Sequence, residues 1–165
     1  FYFAILLGEK IMNKLGILNE TTLEYVENSL IQAKISLLDY EFTFGEREYN
    51  LRFLIKLHEY LFNSIYVLEN HDLQFFVDES VQAQVNELLN RLSIKGIDGI
   101  FDEESLDIFY KLWDLQIFIN GNTRTFIAFL KIYVSAFQLE EYIDFKEFYS
   151  LWNQRFNFKK IRIKK

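Results

Sequence analysis

The chain contains no cysteine and no proline, and only one methionine, six glycines and two histidines among its 165 residues. Without cysteine there is no disulfide, no thiolate nucleophile and no cysteine-based zinc site, and a cytoplasmic location is expected. Imidazole chemistry is restricted to His58 and His71. The lack of proline goes with abundant Phe, Ile, Asn, Lys and Tyr, the bias of AT-rich coding sequence. The 18 Phe and 10 Tyr therefore carry no functional weight by number alone. Long apolar runs are missing too. Residues 1–7 are apolar but far short of a bilayer span, and they lack the basic start and small-residue cleavage site of a signal peptide. The N-terminal segment 1–12 reads instead as an element tucked against the core, and an opening on Phe1 rather than Met leaves room for residues upstream. A positive excess is also absent. With 24 acidic and 18 basic residues the net charge is -6, which excludes general phosphate attraction and points to a protein or small-molecule partner.

Half of the residues are apolar, enough for one full core, and no repeat or low-complexity linker divides the chain, so residues 1–165 read as a single domain. Helical spacing dominates. Thr21 and Glu24 make a capping-box pattern before Leu23, Val26, Leu30, Ala33 and Leu37, predicting a helix over 21–38. A loop at 42–45 precedes a helix over 49–65 with Phe53, Leu54, Leu57, Leu61 and Ile65 inward. Residues 66–76 are the least helical, and 73–77 suit one strand of a small hairpin. Asp78 to Ser80 cap a helix carrying Val81, Val85, Leu88 and Leu92, with a connection over 93–101. Asp102 or Glu103 starts another, through Leu106, Phe109, Leu112, Trp113 and Leu115.

Residues 124–139 are apolar on nearly every side, which marks a buried central helix, and Lys131 argues against a membrane span. From Glu140 onward one or two more helices are expected, carrying Phe145, Phe148, Trp152 and Phe156. The basic stretch 159–165 reads as a solvated tail, able at most to touch nucleic acid or an acidic partner weakly. The acid pairs Glu103-Glu104 and Glu140-Glu141 suit helix starts or solvent.

Directly before the central helix stands Gln116-Ile117-Phe118-Ile119-Asn120-Gly121-Asn122-Thr123-Arg124. Gly-Asn permits a positive-φ turn that turns backbone N–H groups outward, the following helix adds its positive end, and Arg124 has a planar fork suited to phosphate. An ordinary helix start with Asn122 as N-cap has the same appearance.

The loop resembles the signature of the Fic family (filamentation induced by cyclic AMP), His-Pro-Phe-x-Asp/Glu-Gly-Asn-Gly-Arg, with Phe118, Gly121, Asn122 and Arg124 in register. Upstream, Leu57-His58, Leu61-Phe62 and Ile65-Tyr66 are similar to a second family stretch, Ile-His-x-x-Leu-Phe-x-x-Val-Tyr. Asn13-Lys14-Leu15-Gly16-Ile17, with Leu23 and Glu27, resembles the entry of cell-filamentation members. The resemblance covers residues 13–139 and implies an all-α Fic-type bundle around the central helix, with at most a short or vestigial β-hairpin flap. It implies structural roles for Phe118, His58, Phe62 and Tyr66, and a phosphate site at Gly121, Asn122, Thr123 and Arg124. Family members transfer AMP from a nucleotide to a target hydroxyl. A histidine is the base, an acid holds Mg²⁺, and a flap pins the target by strand addition.

The chain departs from this pattern where the chemistry is done. Gln116 replaces the base and has no titratable proton. Asn120 replaces the metal-binding acid and offers no charge. Thr123 crowds the phosphate approach, Ile127 stands at a second arginine position, and the flap is reduced to about residues 67–73. A catalytically silent domain is expected, one that binds a protein target or regulator, or retains some phosphate or nucleotide binding. It needs no certain cofactor, and ATP with Mg²⁺ only if activity remains. The alternatives are an active nucleotidyltransferase with a substitute base, such as His71 beside Asp72, and a purely structural domain.

Overall fold

The structure, a computed structural model, describes residues 13–38, 48–66, 78–143 and 156–164. Among these described residues five helices follow in order: α1 (Glu20–Ser36), α2 (Leu51–Phe62), α3 (Glu79–Ile97), α4 (Glu103–Asp114) and α5 (Asn122–Ala136). Single 3-10 turns follow at Glu140–Tyr142 and Phe158–Lys160. No strand occurs among the described residues, and the chain is all-α. The apolar start at 1–12, the loop at 42–45, the hairpin stretch 67–77 with His71 and Asp72, and Phe145, Phe148 and Trp152 lie outside the described residues.

Four helices start on short polar side chains that accept a first-turn N–H: Asn19, Asn50, Asp78 and Asp102. At Asp102 the bond is reciprocal, because Ser105 returns its hydroxyl to the Asp102 N–H. For α1 this corrects the expected Thr21 cap. Asn19 stands two residues earlier, its Oδ1 accepting from Thr22 N at 2.9 Å. The buried stripe moves accordingly to Glu27, Ile31 and Ile35, followed by Leu38, while Ala33 and Leu37 face outward.

The inner residues expected for α2 are all buried. α3 runs on to Ile97 where a connection was expected from residue 93. Ser93 bonds back to the Leu89 carbonyl, and Gly96 lets the Phe137 ring lie where a Cβ would meet it at 2.4 Å.

α5 is flanked by α2 and α4. α1 packs on α2, and α3 packs on both α2 and α4. α5 begins at Asn122, two residues before the expected start, and nearly every side chain is buried. The Phe129 ring lies 5.0 Å from Tyr49, 5.5 Å from Phe53 and 5.1 Å from Phe109, the offset contacts aromatic rings favour. Lys131 leaves this core by donating to the Ile35 carbonyl at 3.1 Å.

Of the basic stretch expected as a solvated tail at 159–165, the described residues 159–164 keep Lys159, Lys160, Arg162 and Lys164 exposed but are docked to the core at Ile161. Phe158 and Ile161 are fully buried, with Phe158 stacked on Trp113 at 6.0 Å, and Lys159 pairs with Asp114 at 2.9 Å. Two apolar residues three apart suffice to dock a segment whose basic neighbours stay in water. No helix among the described residues is long and apolar enough to cross a membrane.

Candidate functional site

The loop between α4 and α5 is built by helix termination. α4 ends at Asp114 with Leu115 as its C-cap, and Gln116 takes φ 47, a left-handed conformation uncommon for a residue with a side chain. Its amide nitrogen donates to the Trp113 carbonyl at 2.8 Å, and its oxygen accepts from Asn122 Nδ2 at 3.4 Å. The chain then crosses to Gly121, whose φ of 86 opens α5. A Cβ there would meet the Phe62 ring at 2.5 Å, so glycine is required by both backbone and space.

Asn122 is not the N-cap but the first helical residue. Its side chain accepts from Phe118 N at 3.0 Å and donates to Phe118 O at 2.7 Å, folding the loop onto the helix start. The Thr123 hydroxyl accepts the Trp113 indole N–H at 3.0 Å. Asn120 turns its side-chain oxygen onto the N–H of Gly121 at 2.7 Å.

His58 reaches this loop from α2. Its Nε2 lies 3.0 Å from the Asn120 carbonyl, and its ring stacks on Phe118 at 4.1 Å with planes 7° apart. A carbonyl only accepts, so Nε2 carries the ring proton. Burial holds the imidazole neutral, lowering its pKa to about 4, with the Asn120 bond opposing and the Arg124 charge adding to the fall.

Arg124 lies inward. Its side chain is 1% exposed; Nη2 donates to Glu27 Oε1, and Nη1 donates to Asn28 Oδ1 at 3.2 Å. The guanidinium carbon sits 4.9 Å from the Phe62 ring centroid, and Nε has no hydrogen-bond partner among the described residues. The second oxygen of Glu27 accepts from the Tyr66 hydroxyl at 2.7 Å. Burial, then the neighbouring carboxylate, push the Tyr66 phenol pKa upward. The result is a cluster of buried Glu27, Tyr66 and Arg124 with half-buried Asn28, in which both carboxylate oxygens are bound.

No protein-family profile, curated protein or solved structure matches this chain.

The structure therefore brings together Gln116, Phe118, Asn120, Gly121, Asn122, Thr123, Arg124, His58, Phe62 and Tyr66. Among the described residues no group of three or more His, Asp and Glu could hold a metal ion. Asn28 and Trp113 were not singled out as site residues by the sequence reading. One signal was legible: Glu27 is a charge at helical spacing from Ile31 and Ile35, on a face that must be buried. The Asn13–Ile17 turn closes the far side, with Asn13 Oδ1 accepting from Ile17 N at 3.0 Å and Lys14 N donating to the Ile65 carbonyl at 2.6 Å.

Proposed function

We propose that this chain is a degenerate Fic-type domain that no longer transfers nucleotides and serves as a binding module for a protein partner. The observation that carries this reading is the inward commitment of Arg124 to Glu27 and Asn28. A guanidinium whose two terminal nitrogens are occupied and whose side chain is 1% exposed offers no fork to a phosphate from solvent.

The rest of the loop agrees. Gln116 supplies no base, and the Asn120 side-chain oxygen is occupied by Gly121. Gly121 to Arg124 is buried beneath Phe62, His58 and Trp113. Base, metal ligand and phosphate clamp would all have to be rebuilt for turnover. The family reading is supported by the all-α class and by the three sequence blocks: Asn13–Ile17 touches the end of α2, Glu27 pairs with Arg124, and His58 meets Asn120. A protein partner suits the acidic net charge and the exposed Ile94, Ile97 and Ile100 around the end of α3.

The test is titration calorimetry with ATP, ADP and AMP, with and without Mg²⁺, together with incubation of the protein with labelled ATP and a lysate. No saturable heat below millimolar ligand and no transferred label are expected. Micromolar nucleotide binding, or label transfer, that disappears in Arg124→Ala overturns the reading.

A further inference from the structure

The sequence contains a single Asn-Gly pair, Asn120-Gly121, and it sits in the loop just described. Asparagine followed by glycine can close on itself, because no side chain at the next residue hinders the backbone nitrogen from approaching the carboxamide carbon. Three features of the fold bear on that reaction. The Gly121 nitrogen lies 2.7 Å from Asn120 Oδ1, so the carboxamide is already folded back over it, with Cγ one bond of about 1.2 Å away from that oxygen. The Asn120 carbonyl accepts from His58 Nε2 at 3.0 Å, which draws electron density from the peptide and makes the Gly121 N–H more acidic. Asn120 is half-buried, which leaves it open to water.

We propose that Asn120 is a site of spontaneous deamidation, in which the folded loop converts its neutral amide to a carboxylate through a cyclic imide with the Gly121 nitrogen. The Gly121 nitrogen gives up its proton to solvent base and bonds to Cγ of Asn120. The Cγ–Nδ2 bond breaks, and ammonia leaves with a proton taken from water. Water then adds to an imide carbonyl and opens the ring, so the net change is one amide and one water exchanged for one carboxylic acid and one ammonia.

Opening toward isoaspartate would lengthen the backbone beside Gly121, which is wedged against Phe62. Aspartate is the product this packing accommodates. It adds one negative charge just before the N-terminus of α5, where the helix dipole favours it.

The experiment incubates the folded chain at mildly alkaline pH and 37 °C and follows each asparagine by peptide mass spectrometry, beside the same chain held unfolded in urea. The mass gain of an amide-to-acid exchange is expected at Asn120 in the folded chain at least as fast as in urea, and ahead of Asn28 and Asn63, which precede serine. Folding that slows turnover at Asn120, or turnover at Asn28 or Asn63 first, overturns the proposal. His58→Phe, which keeps a ring against Phe118 but removes the donor, is expected to slow the folded reaction several-fold with helicity unchanged. An unaltered rate in that folded variant overturns the role given to His58.

Discussion

Replacing Glu27 by leucine isolates the guanidinium of Arg124 in the core. The two side chains are 9% and 1% exposed, so water cannot take the place of the lost carboxylate. Removing one partner of a buried pair costs about 3–5 kcal/mol, because the remaining charge stays desolvated. The Tyr66 hydroxyl also loses its acceptor, adding about 1 kcal/mol, and the apolar surface of the leucine returns a similar amount. The net loss is about 4 kcal/mol, a large share of the ~5–15 kcal/mol that holds a domain together. With a urea slope of about 2 kcal/mol/M, the unfolding midpoint falls by about 2 M. The double variant Glu27→Leu with Arg124→Met removes both charges and is expected to recover most of the loss, since well-packed apolar replacements of a buried pair are often close to neutral. A single variant costing under ~1 kcal/mol, or a double variant no better than the single one, would refute the claim that the pair is a desolvated structural unit.

His58 stays neutral in the folded chain down to about pH 4, whereas the unfolded imidazole takes up a proton near 6.5. The unfolded state thus binds more protons in that window, so stability falls by about 2 kcal/mol from pH 7 to pH 5, and His58→Phe flattens this part of the urea-midpoint profile. Gly121→Ala places a methyl group 2.5 Å from the Phe62 ring at φ 86 and is expected to lower stability by about 2–4 kcal/mol in thermal melts, with partial rescue by Phe62→Leu. Gln138, exposed at φ 57 just after α5, is expected to gain up to about 1 kcal/mol on replacement by glycine, read as a rise in the urea midpoint.

The five helices between residues 20 and 136 and the buried character of α5 were legible because apolar residues repeat at helical spacing or surround the helix completely. The frame of α1 was misread because Leu23, Val26 and Leu30 form a plausible stripe, while the buried face is completed by Glu27, whose burial depends on a partner 97 residues away. The extension of α3 was hidden by Ser93 and Gly96, which look like loop residues until the Phe137 ring is known to need the space. In the loop, sequence identified the residues that gather but not their directions. Arg124 had the chemistry of a phosphate clamp, yet whether its fork faces solvent or α1 is decided by packing that no local pattern encodes.

The separation of 97 residues between Glu27 and Arg124 also sets an order of events during folding. On the ribosome α1 is complete long before Arg124 is made, so its buried face must wait through most of synthesis without the cation it will pair with. Closing so distant a contact carries an entropic cost that neighbouring helices do not bear, which makes the docking of α1 onto the start of α5 a late step. Until that step, Glu27 keeps its water, and the charge on α1 discourages the exposed helix from sticking to other chains.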